Sequence, residues 1–277
     1  MFMLGKLASQ HGVAMPEIMF WRQIITLPIL AGWMLATAGL SQLRTQRIGS
    51  HFLRAMVGSA GMFFNFAAVS LLHLSQSTTL GFTAPLFAVI ITAMVLREHV
   101  GPWRWTAVSL GFVGVLLITQ PGSATFPILG TAAGLTAALF NAGISFQIRD
   151  LARTESPISV VFYFAVFGGM LMAAFMPFYM TPHDATTWLI LLGIGITGTV
   201  GQILMTSALR YGSVASVIIM DYSALIWATI YGRTLWGEMP PSSTWIGAPL
   251  IIAAGLVITW RERKLFSQAK STTEVAA

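Results

Sequence analysis

Residues 77–96 read STTLGFTAPLFAVIITAMVL, twenty residues without a charge, closed by Arg97 and Glu98. About twenty mostly apolar residues is what an α-helix needs to cross a bilayer, so this run reads as a membrane span. Stepping 140 residues along the chain reaches a second mostly apolar stretch, VIIMDYSALIWATIYGRTLW at 217–236, which carries Asp221 and Arg233 and is closed by Gly237 and Glu238. The two runs place Ala84 on Ala224, Ala88 on Ala228, Ile90 on Ile230 and Glu98 on Glu238 without a gap. Within the first, Pro85 removes a backbone hydrogen bond in what reads as mid-helix, and is the candidate kink or hinge.

Working outward, the same criterion finds nine complete runs, near 17–39, 53–73, 77–96, 103–120, 127–148, 157–180, 187–209, 213–236 and 243–260. The links between them are too short to hold another domain. Composition agrees: 56% of the 277 residues are hydrophobic and only 9% are charged, against about a quarter charged in a soluble domain. A mean hydropathy of +0.76 over the whole chain excludes a soluble domain hung on one anchor. The absence of cysteine excludes disulfides and thiolate metal sites, and neither a metal nor a cofactor is expected. The formal charge of +6 needs no nucleic-acid partner, because the positive-inside rule concentrates Lys and Arg in cytoplasmic loops.

The 140-residue shift extends beyond the opening pair. It places Gly58 on Gly198, Gly61 on Gly201, Ala68 on Ala208, Trp105 on Trp245, Leu110 on Leu250, Leu116 on Leu256 and Thr119 on Thr259. Two copies of one bundle are a common plan among secondary transporters. Residues 1–120 form the first copy, 127–260 the second, and 261–277 a polar, basic cytoplasmic tail expected to be disordered. Met1–Gln10 is about half a crossing, and Met1 maps onto Asn141 in mid-helix. It therefore reads as the end of a helix, whose beginning is expected upstream unless the protein works with nine and a half helices, and no charged region precedes it as in a signal peptide. Five crossings per copy is an odd number, so the second copy enters from the opposite side and the repeats are inverted. Arg44, Arg47, Arg54, Arg97, Arg104, Arg149, Arg153, Arg210, Arg261, Arg263, Lys264 and Lys270 fall on one face, which is then cytoplasmic and holds the C-terminus. Only Lys6, Arg22 and Arg233 lie elsewhere.

This pattern resembles the drug/metabolite transporter superfamily, and within it the EamA-type proteins. The resemblance is carried by Thr83, Ala84, Pro85, Leu86 and Phe87, by Leu96, Arg97 and Glu98, and by Trp105 and Gly114. In the second copy it is carried by Ala208, Leu209, Arg210, Tyr211 and Gly212, by Leu235, Trp236, Gly237 and Glu238, and by Trp245 and Gly255. It implies an all-α polytopic bundle of ten helices as two inverted five-helix repeats, the first helix here cut short. It departs at Leu225, where the second copy of such proteins often has proline. The implied activity is secondary transport of small organic metabolites in the inner membrane, and the motifs are silent on substrate.

Enzyme readings lack their residues: no His-Glu-x-x-His, no phosphate-binding loop and no pair of intramembrane aspartates is present. Gly58, Ser59, Ala60 and Gly61 read as small residues for close helix contact. Polar groups deep in the runs are the pointers to a pathway, since hydrocarbon disfavours them. Arg22 suits a substrate carboxylate or phosphate, or is paired structurally, with Glu17 one candidate. Asp221, the only acid well inside a run, suits proton uptake or a substrate amine, or pairs with Arg22 or Arg233. Asn65, Asn141, Gln147 and Gln202 supply amides; Phe63, Tyr163, Tyr222, Trp227 and Tyr231 supply flat surfaces. Each of these also serves helix packing. Glu98 and Glu238 read as helix-end or solvated groups. The expected partners are a small-molecule metabolite and the lipid bilayer, with a homodimer left open. A central cavity lined by Arg22, Asn65, Gln202 and Asp221 is expected of a transporter, and a bundle packed solid of the alternative, a non-transporting subunit or sensor.

Overall fold

The computed structural model describes residues 1–37, 39, 43–95, 97–98, 100–119, 127–211 and 220–275, with side chains as far as Arg261. Leu96 and Gly212, two of the motif residues, lie outside the described residues. All secondary structure among the described residues is helical. The elements are α1 (Phe2–Gln10), α2 (Met15–Ala36), α3 (Ile48–Leu71), α4 (Leu74–Gly81), α5 (Ala84–Met94) and α6 (Pro102–Thr119). They continue as α7 (Ile128–Leu151), α8 (Pro157–Ala173), α9 (Met176–Tyr179), α10 (Ala185–Tyr211), α11 (Ala224–Trp236) and α12 (Ser242–Val275). Among the described residues seven stretches are long and apolar enough to cross a membrane, with α4 and α5 together counting as one interrupted crossing. The protein is a multi-pass membrane protein. Only a third to a half of each such stretch is buried inside the bundle. Large apolar side chains such as Trp33, Leu35, Leu116, Leu189 and Leu204 point outward, as lipid-facing helices require.

Three readings of the sequence are corrected here. The run 77–96 is two helices, not one. Phe82 and Thr83 form a turn between α4 and α5, and Pro85 sits at the start of α5 rather than in mid-helix. A proline there gives up an N–H that has no intrahelical acceptor anyway, which is why the helix restarts at this point instead of kinking. The run 157–180 stops at Ala173, and a single turn, α9, follows. The tail is not structureless: α12 continues past Trp260 to Val275, through a stretch rich in the helix formers Glu, Lys, Leu, Gln and Ala. The run 213–236 is described only from Met220 onward.

Several boundaries recur at the 140-residue spacing. Helices α5 and α11 begin at Ala84 and Ala224, α6 and α12 at Pro102 and Ser242, and α3 and α10 end at Leu71 and Tyr211. The closures of α5 and α11 match as well. Arg97 (φ 54°) and Gly237 (φ 66°) are both left-handed. The N–H groups that follow, of Glu98 and Glu238, donate to Thr92 O (3.1 Å) and Gly232 O (3.0 Å). A left-handed residue is a common way for a helix to end, and glycine is the unstrained choice for it.

The most extensive packing joins α3 to α7 and α6 to α12, with α2 lodged between α8 and α10. Glycine makes the α6–α12 approach possible: a Cβ on Gly247 would stand 2.6 Å from the Gly114 carbonyl oxygen. One apolar core gathers Ile18, Met19, Met62, Phe66, Leu191 and Ile194 from α2, α3 and α10. Another gathers Leu80, Val115, Ile118 and Ile251 from α4, α6 and α12.

Polar ties fasten the two ends of the bundle. At one end Arg47 pairs with Asp150, while Thr45 and Arg210 donate to the Glu155 carboxylate and carbonyl at 2.7 Å each. At the other, Lys6 pairs with Glu238 (2.9 Å), and His183 lies 2.8 Å from Glu17. Glu238 is therefore an ion-pair partner rather than a solvated helix end. Asp184 caps α10 by accepting from the Thr187 N–H (3.0 Å). Its hydrogen bonds from Thr187 hold its carboxyl below the ordinary range.

Candidate functional site

The break between α4 and α5 opens a cavity of about 150 Å³. Phe82 and Pro85 line it from the break itself, Ser145, Phe146 and Arg149 from α7, Met205 and Leu209 from α10, Ile258 and Thr259 from α12, and Asp221 with Tyr222 from the segment leading into α11. Gly81, Ala84, Ala88 and Ala142 complete the wall with side chains too small to fill it. Residues 222–223 form the same kind of turn before α11 as 82–83 form before α5, and the two turns touch. The Phe82 and Tyr222 rings meet edge to face with centroids 5.0 Å apart. The Tyr222 hydroxyl lies against Gly255, where a Cβ would come within 1.9 Å, and has no hydrogen-bond partner among the described residues.

Arg149 and Asp221 bring opposite charges to this wall, and neither is ion-paired among the described residues. The remaining lining is mostly aromatic or aliphatic. Such a surface accepts a small molecule with an apolar body and charged or polar ends. The volume is below the roughly 300 to 1,000 Å³ of a drug-sized site, so this conformation admits a fragment of that size.

Of the residues singled out from the sequence, Asp221, Tyr222 and Pro85 are brought together here. The others are not, and the expected cavity lining of Arg22, Asn65, Gln202 and Asp221 is corrected to Asp221 alone. Arg22 is buried elsewhere (2% exposed). Its NH1 donates to Gln23 Oε1 (3.1 Å) and its Nε to Met1 Sδ (3.3 Å). Glu17, Asp221 and Arg233 take no part: Glu17 accepts instead from Trp21 Nε1 (3.3 Å) and meets His183. Asn65 and Asn141 find each other, Nδ2 to Oδ1 at 3.4 Å, and Asn65 also donates to Gly61 O. Gln202 accepts from Arg54 NH2 (3.4 Å). Tyr163 donates to Leu43 O (2.6 Å) and lies beside His51. Trp227 is 55% exposed and stacks on Tyr231.

Sequence reading missed Arg54 and Arg149, assigning both to the cytoplasmic face. The run containing Arg54 was taken to start at Leu53, whereas α3 starts at Ile48. Arg54 thus sits about 9 Å along the helix at 1.5 Å per residue, and is 2% exposed. Its Cζ lies 4.5 Å from the centre of the Phe164 ring, and that of Arg22 lies 5.5 Å from the same ring. Only the true start of α3 could have signalled this.

The chain matches the EamA-like transporter family over residues 1–120 and 128–260. It is 30% identical over 92% of its length to a riboflavin transporter of Vibrio cholerae, covering 86% of that protein. It is 25% identical over 92% of its length to the pseudopaline exporter CntI of Pseudomonas aeruginosa (90% of that protein). With an S-adenosylmethionine uptake transporter of Rickettsia prowazekii it shares 26% identity over 90% of its length (82% of that protein). A crystal structure of a protein with 20% identity superposes with a TM-score of 0.65 over 95% of both chains, a likeness of fold. The named relatives are transporters, not enzymes, and their names include both uptake and export.

Proposed function

Because this chain belongs to the EamA-like transporter family, we propose that it is a secondary transporter moving a small organic metabolite by alternating access of two inverted five-helix repeats, residues 1–120 and 127–260. The observation that carries this reading is the pair of helix breaks, at Phe82–Thr83 and Tyr222–Ser223, which meet at one cavity. Interrupted helices at a repeat interface are where secondary transporters bind their cargo, because the break frees backbone and side-chain polar groups inside the membrane. The matching starts of α5 and α11, and of α6 and α12, support the two-repeat division. The cavity also favours transport over a non-transporting subunit or sensor with a solid bundle.

In this reading the membrane is the inner membrane, with the C-terminus and the Arg47, Asp150 and Arg210 end in the cytoplasm. The cavity then lies toward the cytoplasm, since Arg149, Leu209 and Thr259 are close to the ends of their membrane-spanning stretches on that side. Arg149 recognises a polar end of the cargo, Phe82 and Tyr222 its flat or apolar body, and Pro85 sets the point about which α5 moves. Asp221 is the coupling residue: protonation on one side and release on the other would link cargo movement to the proton gradient. The test is uptake and efflux of a metabolite panel by the purified chain in proteoliposomes under an imposed pH gradient. Movement of at least one metabolite above protein-free vesicles is expected. No movement in either direction would overturn the reading.

A further inference from the structure

Away from the cavity, two arginines are buried with no acid beside them. Arg22 on α2 and Arg54 on α3 are each 2% exposed, face the same Phe164 ring on α8, and are near enough to repel each other. Arginine keeps its proton in proteins, so the interior here holds two like charges. Every acid whose side chain is described is engaged or placed elsewhere. Glu17 meets His183, Glu238 meets Lys6, Asp150 meets Arg47, and Glu155 meets Thr45 and His51. Asp184 caps α10, Glu98 is exposed after α5, and Asp221 lines the cavity.

What surrounds the pair is rich in donors. Arg54 Nε and NH1, Gln23 Nε2 and the Ser59 hydroxyl are all buried without a hydrogen-bond partner among the described residues. A buried donor left unmade is costly, and a buried guanidinium more so. Glycines make the room. A Cβ on Gly58 would stand 2.0 Å from Arg54 NH1, one on Gly198 would stand 2.8 Å from Arg22 Nε, and one on Gly168 would stand 2.5 Å from Gln23 Nε2. Gly58 and Gly198 are equivalent at the 140-residue spacing, and each receives one of the two arginines. The Phe164 face stabilises both cations but satisfies none of their N–H groups.

We propose that Arg22 and Arg54, with Gln23 and Ser59, form a buried anion subsite for a carboxylate or phosphate group of the transported metabolite. Two guanidinium forks, that of Arg54 with Nε and NH1 unpartnered and that of Arg22 held by Gln23 Oε1 and Met1 Sδ, with no carboxylate bonded to either, suit a multi-oxygen anion. Gln202, bonded to Arg54, stands three residues before Met205 on α10, so it shares a helix face with the cavity wall. The subsite and the cavity are therefore neighbours along α10, and the cargo is an organic anion whose body reaches toward Asp221 and Tyr222. This inference rests on the transport reading and adds the charge class of the cargo.

The test uses the full chain in lipid nanodiscs, with its thermal midpoint followed by tryptophan fluorescence in sodium phosphate, sodium acetate or sodium chloride at equal ionic strength. Phosphate or acetate should raise the midpoint above chloride, and whichever does so names the group. Arg22→Gln and Arg54→Gln should each weaken that response about tenfold, whereas Arg47→Gln, which removes a surface pair, should leave it intact. If Arg54→Gln does not fold, Arg54→Lys keeps the charge and loses the fork, and should still weaken the response. An equal midpoint in all three salts, or an unchanged response in the arginine variants, overturns the subsite. The proteoliposome panel separates the two readings. Movement of only neutral or cationic metabolites, with no anion response, sinks the subsite and spares transport; an anion response with no metabolite moved supports the subsite and sinks transport.

Discussion

The α4–α5 break and the turn leading into α11 meet the same cavity with the same backbone and different side chains. Both restart a helix after a two-residue turn, and both helices close in a left-handed residue followed by the same long hydrogen bond. Yet the first break carries Gly81, Phe82 and Pro85, where the second carries Asp221, Tyr222 and Leu225. Proline is thus not what makes the break, since the second turn forms without it. There the Ser223 hydroxyl and N–H both turn back onto the Met220 carbonyl, at 2.6 and 3.0 Å. The difference in side chains also confines the charge to one of the two turns, which makes the pair of turns chemically one-sided.

The largest expected effect comes from erasing that one-sidedness. Asp221→Asn keeps the size and removes the charge; uphill, pH-gradient-driven movement in proteoliposomes should fall more than tenfold while downhill exchange persists. Loss of both modes in a folded variant would make Asp221 a binding or packing residue instead, and unchanged driven transport would leave it no role in coupling.

Next is the contact between α6 and α12, where Gly247 corresponds to Ala107 in the other copy. Gly247→Ala drives a Cβ into the Gly114 carbonyl, and should lower unfolding free energy in mixed micelles by about 1 to 3 kcal/mol. Ala107→Gly should cost about 1 kcal/mol, the ordinary helix penalty. Equal costs would mean that the two copies do not differ at this crossing.

The two turns themselves can be compared by moving the proline. Leu225→Pro places it where Pro85 stands in the first copy, at the start of α11, and loses the bond from its N–H to Tyr222 O (3.2 Å). The expected cost is about 1 kcal/mol, against roughly 3 kcal/mol or more for Ile230→Pro inside the helix. A similar cost at both positions would show that α11 does not begin at Ala224.

The smallest effect is at the closures. Arg97 holds the conformation that Gly237 holds without strain, so Arg97→Gly should stabilise the chain by about 1 kcal/mol and Gly237→Arg should destabilise it by a similar amount. A loss on Arg97→Gly in the same micelle unfolding assay would point to a contact of the side chain that outweighs the strain.

Much of this molecule is legible in one dimension, because hydrocarbon imposes a single demanding rule on every crossing. Runs of about twenty mostly apolar residues have few other uses, so the membrane character, the helical class and the kinship with EamA-type transporters could be read from the chain. The spacing that aligns Glu98 with Glu238 and Trp105 with Trp245 could be read in the same way. Asp221 stood out because it is an acid inside such a run. Pro85 stood out too, but its effect was misjudged: hydropathy records that a segment is apolar and not whether its backbone is continuous, so a helix that stops at Gly81 and restarts at Ala84 looks unbroken.

Only the tertiary structure decided which polar groups meet. Arg22 had Glu17 five residues away in sequence, but the carboxylate turned to His183 and the guanidinium to Phe164. Arg54 looked like a loop charge and became half of a buried pair, through a helix start five residues earlier than hydropathy drew it. The physical reason is common to both cases. Apolar surface is recognised by composition, which any window of sequence displays, whereas a polar side chain takes its partner by distance and direction. Those depend on how α2, α3, α8 and α10 rotate about their axes as they pack, and the glycines at 58, 168 and 198 allow that rotation without announcing what they make room for.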